Sequence, residues 1–245
     1  MRYAVISDVH SNLEAFEAVL GEIDRRKVDR IFCLGDLVGY NADPNDCVRI
    51  LMERGIQTLM GNHDAAACGL EEPWNFNSIA QAAVIWTRRN LDGPCRDFLR
   101  HQPEQRSLPG GVRLVHGSLL DRDQYLFAYP EVLDNAMQME REEPPLRLVF
   151  FGHTHHQIAF RCRGRSISVV PGPRFEIEPD ARYLVNPGSV GQPRDRDSRA
   201  SFLVYDDEAR AVEYVRVPYD IASCAEKVLA AGLPYDLAER LGQGW

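Results

Sequence analysis

Tyr3-Ala4-Val5-Ile6-Ser7-Asp8-Val9-His10 runs from an apolar tetrad straight into a carboxylate and an imidazole two residues apart. The tetrad has the length and composition of a buried strand, which puts Asp8 and His10 at its carboxyl end. From residue 12 to 26 the period becomes helical, with Leu13, Phe16, Val19, Leu20 and Ile23 on one face. Asn12, together with Ser11, is placed to cap that helix. Arg30-Ile31-Phe32-Cys33-Leu34 is the next strand, and Asp43-Pro44 opens a second helix that Gly55 ends. Gln57-Thr58-Leu59-Met60 is a third strand. This β-α-β-α-β order predicts a parallel sheet with crossover helices.

Beyond it, residues 65–107 read as helical, with Ile79, Ala82, Ala83 and Trp86 as the apolar face. Val112-Arg113-Leu114-Val115 and Leu148-Val149-Phe150-Phe151 are further strands, on either side of a helix at 130–141. Short strands at 157–160, 166–170, 183–185, 201–205 and 212–217, separated by turn residues, predict a meander that forms a second sheet. A helix at 220–231 follows. No repeat, linker or low-complexity tract interrupts the chain, so one domain over residues 1–245 is expected.

Each strand that carries chemistry ends in the same way. Asp8 and His10, Asp36 in Gly35-Asp36, Asn62-His63-Asp64 after Gly61, His116 before Gly117, and His153 and His155 in Gly152-His153-Thr154-His155 all follow apolar runs. The carboxyl edge of an α/β sheet is where sites gather. Mixed oxygen and nitrogen donors suit divalent transition metals. Two such ions about 3.5–4 Å apart make a phosphoryl-transfer site. A carboxylate has two oxygens, so Asp36 can bridge them, and Asn62 offers a neutral carbonyl oxygen.

In this order the strings resemble the calcineurin-like metallophosphoesterase superfamily, whose pattern is Asp-x-His, Gly-Asp-x-x-Asp, Gly-Asn-His followed by an acid, His, and Gly-His-x-His. The likeness continues to Asn186-Pro187-Gly188-Ser189. Ser7-Asp8-Val9-His10-Ser11-Asn12, Gly35-Asp36-Leu37-Val38-Gly39-Tyr40 and Asn186 to Arg194 look most like the small bacterial phosphodiesterase branch, which is grouped with diadenosine tetraphosphatase-like proteins. The resemblance implies a four-layer αββα sandwich of the α/β class. It implies a first metal on Asp8, His10, Asp36 and His155, and a second on Asp36, Asn62, His116 and His153. It gives His63 the role of general acid or phosphate contact, with Asp64 as its orienting partner. The implied reaction is hydrolysis of phosphodiester or phosphomonoester bonds of small, nucleotide-like substrates by a hydroxide bridging two cations. A manganese or iron pair is expected, with nickel, zinc or magnesium as other occupants. A dinucleoside polyphosphate hydrolase, a serine/threonine protein phosphatase and a non-catalytic metal-binding scaffold are the alternatives.

The chain departs from the pattern at Gly39, where the family has its second Asp. Gly39-Tyr40-Asn41 reads instead as a tight turn that brings Tyr40 and Asn41 beside the pocket. Arg194 is suited either to bidentate phosphate contact or to pairing with Asp195 or Asp197. Tyr40, Asn62, His63 and Arg194 are thus the expected substrate contacts. His156 is expected to point away from the metals, His101 to be no ligand, and Ser189 to be structural. Trp74, Phe76, Tyr125 and Phe127 lie between the motifs, suited to core packing or to stacking on a nucleobase.

Composition sets the outer limits. Net charge is −8, which disfavours generic nucleic-acid binding. It leaves small phosphorylated substrates open, since bound cations reverse the local sign. No apolar run approaches the ~20 residues a membrane span needs. The 6 cysteines form no Cys-x-x-Cys pair and read as free buried thiols, so a cytoplasmic protein is expected. No dimerisation pattern is visible, and the oligomeric state stays open.

Overall fold

The computed structural model describes residues 1–245. Its strands are β1 (Arg2–Ile6), β2 (Arg30–Cys33), β3 (Gln57–Thr58), β4 (Gln105–Leu108), β5 (Val112–Val115), β6 (Leu148–Phe150), β7 (Gln157–Arg163), β8 (Ser166–Val169), β9 (Arg174–Glu176), β10 (Arg182–Pro187), β11 (Ala200–Asp206) and β12 (Ala211–Val217). Its helices are α1 (Leu13–Arg26), α2 (Pro44–Glu53), α3 (Asn62–Ala67), α4 (Ser78–Asn90), α5 (Gly93–Arg100), α6 (Tyr129–Arg141), α7 (Ile221–Ala230) and α8 (Tyr235–Leu241). The strands form two six-stranded mixed sheets, ordered β3-β2-β1-β11-β12-β9 and β4-β5-β6-β10-β7-β8.

Period-two alternation builds the layers. Tyr3 and Val5 of β1, Leu203 and Tyr205 of β11, and Leu148 and Phe150 of β6 all face into one cluster between the sheets. Their neighbours face the other way. Ala4, Ile6, Phe202 and Val204 pack on Phe16, Val19, Leu20 and Ile23 of α1 and on Val48 and Leu51 of α2. Val149 and Phe151 pack on Val132, Ala136 and Met139 of α6. Helix, sheet, sheet and helix thus stack as four layers, because each central strand is apolar on both faces.

The parallel run predicted at the start is present: β1 pairs with β2 and β2 with β3, all parallel. The rest corrects the sequence reading in three places. First, the downstream strands do not make a sheet of their own. β7, β8 and β10 extend the sheet of β4, β5 and β6, whereas β9, β11 and β12 join β1, with Ala4 opposite Val204. Strand periodicity fixes which side chains are buried but not which neighbour a strand pairs with. Second, residues 65–107 are not one helical stretch. Asn77 caps α4 by accepting from the Ala80 N–H at 2.9 Å, and Asp92 caps α5 by accepting from the Cys95 N–H at 2.9 Å. Each cap starts a new helix. Third, the buried face of α4 is Ala80, Ala83, Val84 and Thr87, one step round from the predicted face, and Ala82 is exposed. Thr87 is tolerated there because its hydroxyl donates to the Ala83 carbonyl at 2.9 Å.

β9 and α8 were not anticipated, nor was β4, which begins inside the stretch read as helical. β9 has three residues and α8 seven, too short for a periodic signal. Together α4, α7 and α8 pack around Tyr40, closing the back of the edge where the motif residues meet. No helix is long and apolar enough to cross a membrane. All 6 cysteines are buried and free.

Candidate metal centre

The turns that follow β1, β2 and β6 share an uncommon backbone. Asp8, His10, Asp36, His153 and His155 all have φ between 49° and 63°. This is the left-handed region that side-chain-bearing residues seldom adopt. Hydrogen bonds between the turns hold it: Asp8 N–H donates to the Gly35 carbonyl at 3.1 Å and His10 N–H to the Asp36 carbonyl at 3.0 Å. The result is that side chains from separate strands converge on one buried spot.

Two groups meet there. Asp8, His10, Asp36 and His155 have donor atoms within 4.8 Å of one another, and so do Asp36, His116 and His153. Asp36 belongs to both. Its Oδ1 accepts from the His63 backbone N–H at 2.9 Å. Its Oδ2 lies 3.6 Å from His10 Nε2 and 3.4 Å from His116 Nε2, between the two groups. Asn62 Oδ1 is 3.3 Å from His116 Nε2. Asp8 Oδ1 is 3.5 Å from His155 Nε2.

The tautomers follow from carbonyl partners, which can only accept. Nδ1 of His10 donates to Val38 O at 3.0 Å, Nδ1 of His116 to Leu34 O at 2.9 Å and Nδ1 of His155 to Gln192 O at 2.7 Å. In the neutral form of each ring the Nε2 lone pair therefore points inward. His153 is reversed: its Nε2 donates to Asp123 O at 3.0 Å, leaving Nδ1 free. Such outer partners are how ligating imidazoles are fixed.

This arrangement fits divalent cations. The unprotonated Nε2 atoms of His10 and His155 face each other at 3.0 Å. Bare lone pairs repel at that separation, whereas two bonds of about 2.1 Å meeting near a right angle span about 3 Å. Asp8, Asp36 and Asp64 are buried, and neither Lys nor Arg forms an ion pair with any of them. Buried charges are ordinarily paired or hold metal. Without such a partner, burial pushes Asp8 up to about 7, and burial with the adjacent Asp36 charge pushes Asp64 up to about 7. Burial opposes protonation of His116, but the neighbouring Asp36 overrides it and raises the imidazole to about 9. Burial lowers His63 to about 4 and His153 to about 3.

Outside the ligand groups, His63 packs among Tyr40, Phe76 and His10, with ring centroids 4.4, 4.8 and 4.8 Å away. Its Nδ1 is buried and makes no hydrogen bond within the chain. The Asp64 carboxylate does not orient that ring. It accepts from the Val38 and Gly61 N–H groups, each at 3.1 Å. Both residues lie on α3, where successive side chains diverge by about 100°, so Asp64 reaches back over the helix start while His63 faces the cleft. Gly39 is explained by the same packing. Its φ is +98°, and a Cβ there would lie 2.5 Å from His63 Nδ1. With His63 seated as it is here, a side chain at this position would force the ring to move.

Arg194 pairs with neither Asp195 nor Asp197, which are taken by Arg216 and Arg199. Its guanidinium donates to Tyr40 Oη at 3.2 Å and to Gln192 Oε1 at 2.8 Å. A cleft of about 460 Å³ opens beside the metal groups, lined among others by Tyr40, Asn62, His63, Phe76, Tyr125 and His153. Core packing does not describe Trp74, Tyr125 and Phe127, which are 75%, 45% and 56% exposed. Only Phe76 is half-buried, because it alone lies under α4. His156 turns away, its Nδ1 bonded to Thr154 O at 2.7 Å, and His101 is exposed on α5's end. Ser189 donates to the Asp8 carbonyl at 2.8 Å. Val38, Leu34, Gln192 and Asp123 carry no sequence signal, because they act through carbonyls that any residue type supplies.

Comparison with known proteins agrees with this geometry. The model of the calcineurin-like phosphoesterase superfamily domain matches residues 1–210. An uncharacterised protein of Methanocaldococcus jannaschii is 36% identical over 244 residues, 98% of this chain and 97% of that protein. The crystal structure of a metallophosphoesterase from Sphaerobacter thermophilus is 35% identical, with a TM-score of 0.82 over 100% of this chain and 99% of that one. A hypothetical protein from Pyrococcus horikoshii OT3 shares the fold at 17% identity, with a TM-score of 0.82 over 100% of this chain and 98% of its own. With its buried aspartate and histidine groups able to hold metal, the chain belongs to the calcineurin-like phosphoesterase superfamily.

Proposed function

We propose that this chain, acting as one domain, is a phosphoesterase that uses two divalent cations to hydrolyse phosphodiester or phosphomonoester bonds of small nucleotide-like molecules. The observation that carries the reading is Asp36 Oδ2, set between His10 Nε2 and His116 Nε2. Asp8, His10, Asp36 and His155 would hold one cation; Asp36, Asn62, His116 and His153 the other. Manganese or iron suits this donor set best. When bound, the pair supplies Lewis acidity and a water activated at neutral pH.

The protein groups do the rest. Asn62 and His63, at the start of α3, present an amide and an imidazole to the cleft. His63 Nδ1 or Nε2 is placed to give a proton to the leaving oxygen. Its burial keeps the ring neutral until an anionic phosphate enters, and that charge favours the protonated form. Arg194, braced by Tyr40 and Gln192, offers its guanidinium to non-bridging phosphate oxygens. Metal analysis and bis-p-nitrophenyl phosphate turnover, measured together on the manganese-loaded protein, test the reading. Two equivalents of metal with turnover are expected. One equivalent, or two without turnover, would overturn it.

A further inference from the structure

We infer that the cleft beside the metal groups is a nucleobase site: the rings of Tyr125 and Phe76 hold a base while the amides of Asn75 and Asn77 contact its edge. This rests on the phosphoesterase reading only for the phosphate end of the ligand.

The segment after β5 presents aromatic rings to solvent yet is firmly held. Ser118 Oγ donates to Gln124 Oε1 at 2.6 Å, and Leu119 N–H donates to Asn135 Oδ1 at 2.9 Å. Arg122 pairs with Glu71 at 2.6 Å and Asp123 at 2.7 Å. On this frame Tyr125 stacks over the His153 ring at 4.0 Å and 29°. Phe127, two residues on, lies parallel to Tyr125 at 5.6 Å and 8°. Tyr125 covers His153 on one side, and about half of each ring stays open to solvent, outside the hydrophobic core. They are a ready platform for a flat apolar ligand, as base-stacking proteins use.

The same cleft supplies the polar complement. Asn77 Oδ1 is spent on the Ala80 N–H, which leaves its amide NH₂ as a donor at the rim. The exposed Asn75 amide offers both a donor and an acceptor. A base edge carries both kinds of group on a flat ring that can stack, whereas a lipid tail carries neither. The cleft's volume of about 460 Å³ falls within the range for small-ligand pockets. Charge selects a free nucleotide over a polymer. Arg122 is already paired with acids, and Arg194 is the cation left without a carboxylate partner near the metals. One phosphate end is therefore welcome, and a long phosphate chain is disfavoured by the net charge of −8.

The test is calorimetry on the manganese-loaded full chain with AMP and with ribose 5-phosphate, which differ only in the base. AMP is expected to bind about ten-fold tighter. Tyr125→Ala should bring the two affinities within two-fold, and Tyr125→Phe should keep the preference. Because both ligands carry the same phosphate, their ratio cancels any disturbance of His153. Equal binding of the two ligands by the unmodified chain, or an unchanged ratio in Tyr125→Ala, would overturn the inference. Phe76→Ala should lower the ratio as well, from the other wall. Turnover of bis-p-nitrophenyl phosphate is measured in parallel. Turnover without base preference removes the nucleobase site alone; base preference without turnover retains it and removes the phosphoesterase reading.

Discussion

The two metal groups share Asp36 but are built differently. His10 and His155 are both anchored through Nδ1 to loop carbonyls beside the sheet edge, Val38 O and Gln192 O. Of the other pair, His116 is anchored in that same way, but His153 hangs by Nε2 from Asp123, in a segment that also forms the cleft wall. One group is part of the sheet edge, and the other depends on a surface segment. The difference teaches that, of two donor groups sharing one aspartate, one can be set by the fold and the other by a loop that lines the adjacent cleft.

The most severe way to break that contrast is at its shared atom. Asp36→Ala should remove both cations and abolish measurable turnover, since the pair supplies the Lewis acidity and the activated water. Metal analysis showing one cation retained would mean that Asp36 serves only one group. Next, His155→Ala and His153→Ala should each reduce metal content from two equivalents to one. The first should also lower the melting temperature more than the second, since His155 Nδ1 ties the ring to the Gln192 carbonyl beside the sheet edge, whereas His153 is held only by the cleft-wall segment. Equal losses of thermal stability would erase the distinction. A narrower probe leaves every ligand in place. At Gly117 a Cβ would lie 2.2 Å from the Arg122 carbonyl. Gly117→Ala should therefore displace the segment that holds His153 and weaken only the looser of two manganese affinities, by roughly ten-fold or more. Isothermal titration would show both affinities weakened if the segment supported both groups. The smallest effect is thermodynamic. A cation at a hundred times its dissociation constant stabilises the fold by about 2.7 kcal/mol. Stepwise chelation should release that in two stages by scanning calorimetry, the loop-held position first.

The same contrast governs what the sequence could disclose. Donor side chains at strand ends were legible, because Asp, Asn and His in apolar surroundings are chemically conspicuous. So were the parallel start of the first sheet and the helices α1, α2, α6 and α7. Carbonyl anchors at Val38, Leu34, Gln192 and Asp123 were not, since backbone oxygens carry no residue signature. The division of β9, β11 and β12 from β7, β8 and β10 was also hidden, because all of these strands meet the same burial pattern. Gly39 was visible as a departure, but its reason is a packing distance to His63, fixed only by the three-dimensional arrangement.

The left-handed backbone at Asp8, His10, Asp36, His153 and His155 has one more consequence. Aspartate, asparagine and histidine are the side-chain-bearing residues that tolerate this conformation best. The alphabet available to these positions is therefore screened twice, once by what binds a cation and once by what the turn accepts. Glutamate carries the same oxygens as aspartate yet tolerates this torsion less well, so chemically faithful replacements are penalised by the turn as well as by ligation.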